Sequence, residues 1–139
     1  MIRTIRKTSA AEFALLALTA VMAVAFLTGC GKPQYCSDLT TLQTSVKDLP
    51  SQATNKGVSG LKSQITTIEN NAKALVSSAK SDFPTESSAV ESSVNQLTSS
   101  VSAVASTPTA SQVTAVALNA SAVVKSVQSF ASATESECK

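Results

Sequence analysis

Apolar residues recur three or four positions apart through most of the chain after residue 38. This spacing places them on one face of a helix, with polar residues filling the positions between. Four stripes can be followed, and their members are Leu39, Leu42, Val46 and Leu49; Val58, Leu61, Ile65, Ile68, Ala72, Leu75 and Ala79; Val90, Val94, Leu97, Val101 and Val104; and Val113, Val116, Ala120, Val123, Val127, Phe130 and Thr134. The pattern predicts an all-α fold with one short helix and three long ones.

Proline and capping residues predict where the short helix begins and ends. Ser37 precedes the first stripe and is a typical N-cap residue. Pro50 follows that stripe and is expected to end the helix. The segment 50–57, which contains Asn55 and Gly57, is predicted to be a loop.

The same residue types predict the boundaries of the later helices. Phe83 should end the second helix, because a residue before proline is pushed out of the α region. Pro84 then opens the third helix, which is expected to stop near Ala105. Thr107 and Pro108 read as the N-cap and first residue of the fourth helix. Short connections of this kind are typical of an antiparallel up-down four-helix bundle.

Composition allows another interpretation of the same region. Serine and threonine are much more frequent than in ordinary globular proteins, as in disordered, glycosylated stalks. The regular apolar stripes favour helices over such a stalk.

The first 29 residues have the organisation of an export signal. Arg3, Arg6 and Lys7 precede residues 14–27, which carry no charge, and the small residues Thr28 and Gly29 follow. This order is that of a cleaved signal peptide. The apolar run is too short for a spanning helix, which needs roughly 20 residues.

The motif Leu27-Thr28-Gly29-Cys30 resembles the lipobox of bacterial lipoproteins. The resemblance implies cleavage between Gly29 and Cys30, and a diacylglycerol with chains such as palmitate on the Cys30 thiol. It also implies a signal peptide over 1–29, a lipidated tether over 30–35 and a helical bundle over 36–139. The protein would then be held at the outer face of the cell membrane. As a whole the chain resembles small helical lipoproteins of actinobacterial type, which implies no known activity.

Assigning Cys30 to lipid leaves Cys36 and Cys138 as a pair. In an up-down bundle an even number of helices brings both ends to the same side, so a disulfide between them agrees with the four-helix count. A redox-active or metal-binding pair is the alternative, but the chain has no Cys-x-x-Cys and no histidine. A short tether before Cys36 places the disulfide end near the membrane and the other loops away from it.

Charge and residue content exclude several functions. Three of the 11 basic residues and one of the nine acidic residues lie in the signal, so the remainder is neutral and has no basic stripe for nucleic acid. Without histidine there is no Ser-His or Cys-His nucleophile and no imidazole metal ligand. We predict no enzymatic activity, no catalytic residue, no cofactor and no metal site.

Two groups of residues expected near the helix ends could bind a ligand, but a structural role is favoured for both. Asp38, Glu135 and Glu137 could offer oxygen ligands to calcium, but a solvated acidic rim is favoured. The aromatic residues after the lipobox, Tyr35, Phe83 and Phe130, could form a binding patch, but filling gaps at helix ends is favoured.

Three functions fit this sequence. The first is a lipid-anchored, non-enzymatic module that binds another envelope component through its outward loops or a helix face. The second is a carrier of a small apolar ligand or lipid between helices whose stripes consist mainly of small residues. The third is a structural envelope tether, because Lys139 resembles the lysine by which the murein lipoprotein family is joined to peptidoglycan. The chain departs from that family in Pro50, Pro84, Pro108 and Cys138.

Overall fold

The computed structural model describes residues 31–139, of which 85% are helical and none lies in a strand. Four helices follow one another: α1 (Gln34–Ala79), α2 (Pro84–Ser102), α3 (Ala110–Ala133) and α4 (Glu135–Cys138). The all-α prediction is confirmed. The structure differs from the sequence-based boundaries in three places.

The first difference is that α1 continues through Pro50 to a break at Gly57. Gly57 has φ 60° and ψ −145°, a combination that only glycine adopts without strain. The break divides α1 into a first arm (34–56) and a second arm (58–79). The predicted stop at Pro50, the loop over 50–57 and the short first helix are therefore wrong.

Packing around Pro50 explains why the helix continues there. Proline removes one helical hydrogen bond. However, Leu49 before it is buried and Ala53 after it is half-buried, so both gain apolar contacts by remaining helical. The Thr54 hydroxyl also donates to the Pro50 carbonyl at 2.8 Å. The helix breaks instead at Gly57, where the required backbone angles cost least.

The second difference is that α1 begins at Gln34 rather than at Ser37. Tyr35 and Cys36 are 4% and 8% exposed, so their burial favours an earlier start. The Cys36 amide donates to the Pro33 carbonyl at 3.0 Å, which closes the first turn.

The third difference is at α3, whose N-cap is Thr109 instead of the predicted Thr107. The Gln112 amide donates to Thr109 Oγ1 at 3.3 Å, and the Thr109 amide donates to Gln112 Oε1 at 3.1 Å. This capping box satisfies two backbone groups at once, which Thr107 cannot do without a Glu or Gln three residues later. Gln112 Nε2 also donates to the Ala103 carbonyl at 2.9 Å and so fixes the connection over 103–109.

The predicted turn at Phe83 and Pro84 is confirmed. Phe83 has φ −130° and ψ 64°, outside the α region, and Pro84 is the first residue of α2. The Phe83 amide donates to the Ala79 carbonyl at 2.8 Å, which ends the second arm.

The predicted stripes meet in one apolar core. Its fully buried members include Leu42, Ile68, Leu75, Val90 and Phe130. Many hydroxyl groups between the stripes donate to a carbonyl three or four residues earlier in the same helix, as Thr40 and Ser99 do. A serine- and threonine-rich chain can therefore stay helical, because many of its hydroxyls are satisfied within their own helix.

Candidate apolar binding site

The disulfide closes one end of the protein. Cys36 and Cys138 are bonded, with Cα atoms 5.5 Å apart, as the cysteine count predicts. Lys32 Nζ also donates to the Cys138 carbonyl at 2.8 Å. The start of α1 and the end of α4 are thus held together.

The three aromatic rings of residues 31–139 pack together at this same end, where Tyr35 and Phe130 are buried and Phe83 is half-buried. The ring centroids of Tyr35 and Phe83 are 5.4 Å apart, and those of Phe83 and Phe130 are 5.8 Å apart. Burial raises the pKa of the Tyr35 hydroxyl, and the negative charges of Glu137 and Asp82 raise it further. The rings fill space between helices, as the favoured interpretation expects.

Two of the three acidic residues expected at this end, Asp38 and Glu135, are engaged with neighbouring side chains. Asp38 accepts hydrogen bonds from Gln34 Nε2 at 3.1 Å and Ser78 Oγ at 2.6 Å. Glu135 pairs with Lys139 at 2.5 Å. Within residues 31–139, no three His, Cys, Asp or Glu side chains lie close enough together to hold a metal ion.

Burial along α3 changes from one half of the helix to the other. Its predicted stripe is buried at Val123, Val127 and Phe130. Nearer the start of α3, Val116 is only half-buried and Val113 is 57% exposed. The first half of α3 therefore leaves apolar surface uncovered.

This uncovered surface forms one wall of a recess of about 370 Å³, which we call the apolar recess. Every residue that lines it is apolar, and together they come from both arms of α1, the connection after α2 and the start of α3. They are Leu49, Pro50, Ala53, Gly57, Val58, Leu61, Val104, Pro108, Val113, Val116 and Ala117. The 19 residues of α2 separate this recess from the disulfide end by about 28 Å.

A second, smaller recess lies between the first arm and α3, nearer to the disulfide. It measures about 240 Å³ and is lined by Gln43, Val46, Lys47, Val124, Val127 and Gln128. We call it the lysine recess, because Lys47 is its only charged lining residue. Both recesses are bordered by the first arm and α3.

A larger surface depression of about 860 Å³ has a different character. Its lining is mainly hydroxyl and amide groups of α2, with one carboxylate: Ser88, Glu91, Ser92, Asn95, Gln96, Ser99, Ser100 and Asn119. Several of these groups are used within the fold, since Asn119 Nδ2 donates to the Gln96 carbonyl at 3.4 Å and Ser99 Oγ donates to the Asn95 carbonyl at 2.9 Å. The apolar recess is therefore the stronger candidate for a binding site.

Sequence reasoning identified the disulfide residues but missed the residues of the apolar recess. The sequence pattern places Pro50 and Gly57 in a loop and Val113 in the buried stripe. One signal lies in the sequence, because Pro and Val occur together in both segments that line the recess, at Pro50 and Val58 and at Pro108 and Val113. The predicted cleavage and lipidation residues, Gly29 and Cys30, lie outside the described residues.

Among residues 31–139, no helix has both the length and the apolar character required to cross a bilayer. No protein-family model, curated protein or solved structure matches the chain.

Proposed function

We propose that the two arms of α1, α2 and α3 form an antiparallel up-down four-helix bundle. Hydrogen bonds between consecutive segments support this arrangement. In an antiparallel pair, residue numbers rise along one segment as they fall along the other, and the hydrogen-bonded pairs follow this order. The pairs are Asp38 with Ser78, Ser45 with Gln64 and Asn71, Ser93 with Ser126, Gln96 with Asn119, and Ala103 with Gln112. The disulfide, which joins the start of α1 to α4, agrees with an even number of segments.

We propose further that a cleaved signal peptide exports this bundle and that lipid on Cys30 anchors it at the outer face of the cell membrane. Since α1 already begins at Gln34, only residues 31–33 remain as an extended link, which spans about 10 Å. A link this short keeps the disulfide end beside the membrane. The apolar recess then faces outward.

In this position the protein acts as a non-enzymatic holder of a small apolar ligand or lipid chain. The apolar recess carries this proposal. Its volume lies within the roughly 300–1,000 Å³ of known ligand sites, and its lining is wholly apolar. A ligand that covers Val113 and its neighbours removes apolar surface from water, at about 25 cal/mol per Å². No nucleophile, acid or base is among the lining side chains, which supports binding without catalysis.

Photolabelling tests the ligand site. The full chain in isolated membranes is exposed to a long-chain alkanol that carries a diazirine, and labelled residues are mapped by mass spectrometry. We expect saturable labelling at the start of α3. Ala117→Phe fills the apolar recess and should lower this labelling about tenfold, because the ring occupies the space that the probe needs.

Ala115→Phe is the matched control, since Ala115 lies on the same helix, is exposed and does not line the recess. It should leave labelling unchanged. Unsaturable labelling, or equal labelling in both variants, would reject the proposed site.

The anchor is tested separately. Cys30→Ala should give a protein without diacylglycerol, because alanine has no thiol to form the thioether. This variant should no longer be held at the membrane, since stable attachment needs two acyl chains. Intact mass spectrometry of the purified protein measures this change, because the mass of the variant should lack the lipid. Cys138→Ala should keep the lipid. An unlipidated wild-type chain would refute the anchor without bearing on the recess.

A further inference from the structure

We infer that the ligand is a long-chain fatty acid whose tail lies in the apolar recess and whose carboxylate lies at Lys47. This inference rests on the proposed function and specifies its ligand. Three observations carry it: the alignment of the two recesses, the small side chain between them, and the charge at one end.

The two recesses follow the same pair of segments. On the first arm, the apolar recess is bordered by Leu49 and Ala53, and the lysine recess by Val46. On α3, the corresponding residues run from Val113 to Val124, a distance of about 16 Å along the helix axis. A linear hydrocarbon chain has the shape to lie along such a line, whereas a compact ring system fits only one recess.

Apolar surface continues along α3 between the two recesses. Ala120 lies between them and is half-buried, so only a methyl group projects at this point. Val124 beyond it is 39% exposed. A tail in the apolar recess can therefore pass the Ala120 methyl group to reach the lysine recess.

The lysine recess carries a positive charge. Lys47 is exposed, and no acidic residue lines the recess. The ion pairs formed among residues 31–139 involve Glu69 and Glu135 with other lysines. Asp48, next in sequence, borders a different depression together with Gln64. A carboxylate is thus the complementary group, and the Gln43 and Gln128 amides can donate to it as well.

Two photoreactive probes with the same hydrocarbon chain and diazirine test the inference, one a fatty acid and the other the corresponding alkanol. The full chain in membranes is labelled over a range of concentrations. Lys47→Gln should raise the concentration of fatty acid for half-maximal labelling about two- to fivefold, the range for a charge pair at an exposed site. Labelling by the alkanol should not change.

Lys62→Gln is the control variant, because it removes an exposed positive charge from the second arm. It should change labelling by neither probe. If Lys47→Gln leaves fatty-acid labelling unchanged while Ala117→Phe still abolishes it, the head-group assignment is wrong and the apolar site stands. If neither probe labels the chain saturably, both proposals fail.

Discussion

Replacing Cys138 with serine is expected to lower the free energy of unfolding by about 4–5 kcal/mol. Cys36 and Cys138 are 102 positions apart, so the disulfide closes a loop that includes nearly the whole helical region. In the chain-entropy model, a loop of this length gives about 4.7 kcal/mol. Small domains are stabilised by only about 5–15 kcal/mol in total. Denaturant unfolding with and without reductant measures the difference.

The two cysteines provide their own control. Cys36→Ser should cost the same as Cys138→Ser, and the double variant should cost no more than either, since all three lose one bond. Reductant should then have no effect on any variant. Costs that add together, or a wild-type protein that is indifferent to reductant, would show that the bond does not stabilise the fold.

Phe130→Ala is expected to cost about 3–5 kcal/mol of unfolding free energy, the range for deleting a buried phenylalanine ring. Phe130 is completely buried, and its ring lies 5.8 Å from that of Phe83. The neighbouring Phe83 ring also packs against Tyr35, with centroids 5.4 Å apart, so it cannot move into the cavity without losing that contact. Denaturant unfolding under oxidising conditions measures the loss.

Leu118→Ala is the matched control on the same helix. Leu118 is 67% exposed, so its truncation should change stability by no more than about 0.5 kcal/mol. Equal costs for the two variants would contradict the placement of Phe130 in the core.

The helical stripes could be predicted because burial follows a regular spacing. Val90, Val94, Leu97 and Val101 are all buried, as their separation by three or four residues requires. Phe83 could be assigned to a turn for an equally local reason, since Pro84 restricts its backbone.

The boundaries that were wrong depend on interactions outside the local sequence. A proline in a helix interior, such as Pro50, costs a hydrogen bond, and the burial of Leu49 beside it offsets that cost. Thr107 and Thr109 are both good N-caps, and the side chain of Gln112 selects Thr109.

The apolar recess could not be predicted because it depends on how closely two segments approach. A stripe shows which face of α3 is apolar, but it does not show whether the first arm covers that face. Val113 and Val127 occupy equivalent places in the same pattern, yet Val113 is 57% exposed and Val127 is buried. The difference arises from the separation of helices, which single-residue patterns do not encode.

The disulfide also determines how the protein responds to mechanical force. When tension is applied between a residue before Cys36 and one after Cys138, the covalent link carries the load and bypasses the helices. The segment between the two cysteines stays slack, so its internal packing is shielded from stretching along the chain. Only a force applied within that closed loop, such as one on a molecule seated at the far end, reaches the helices themselves.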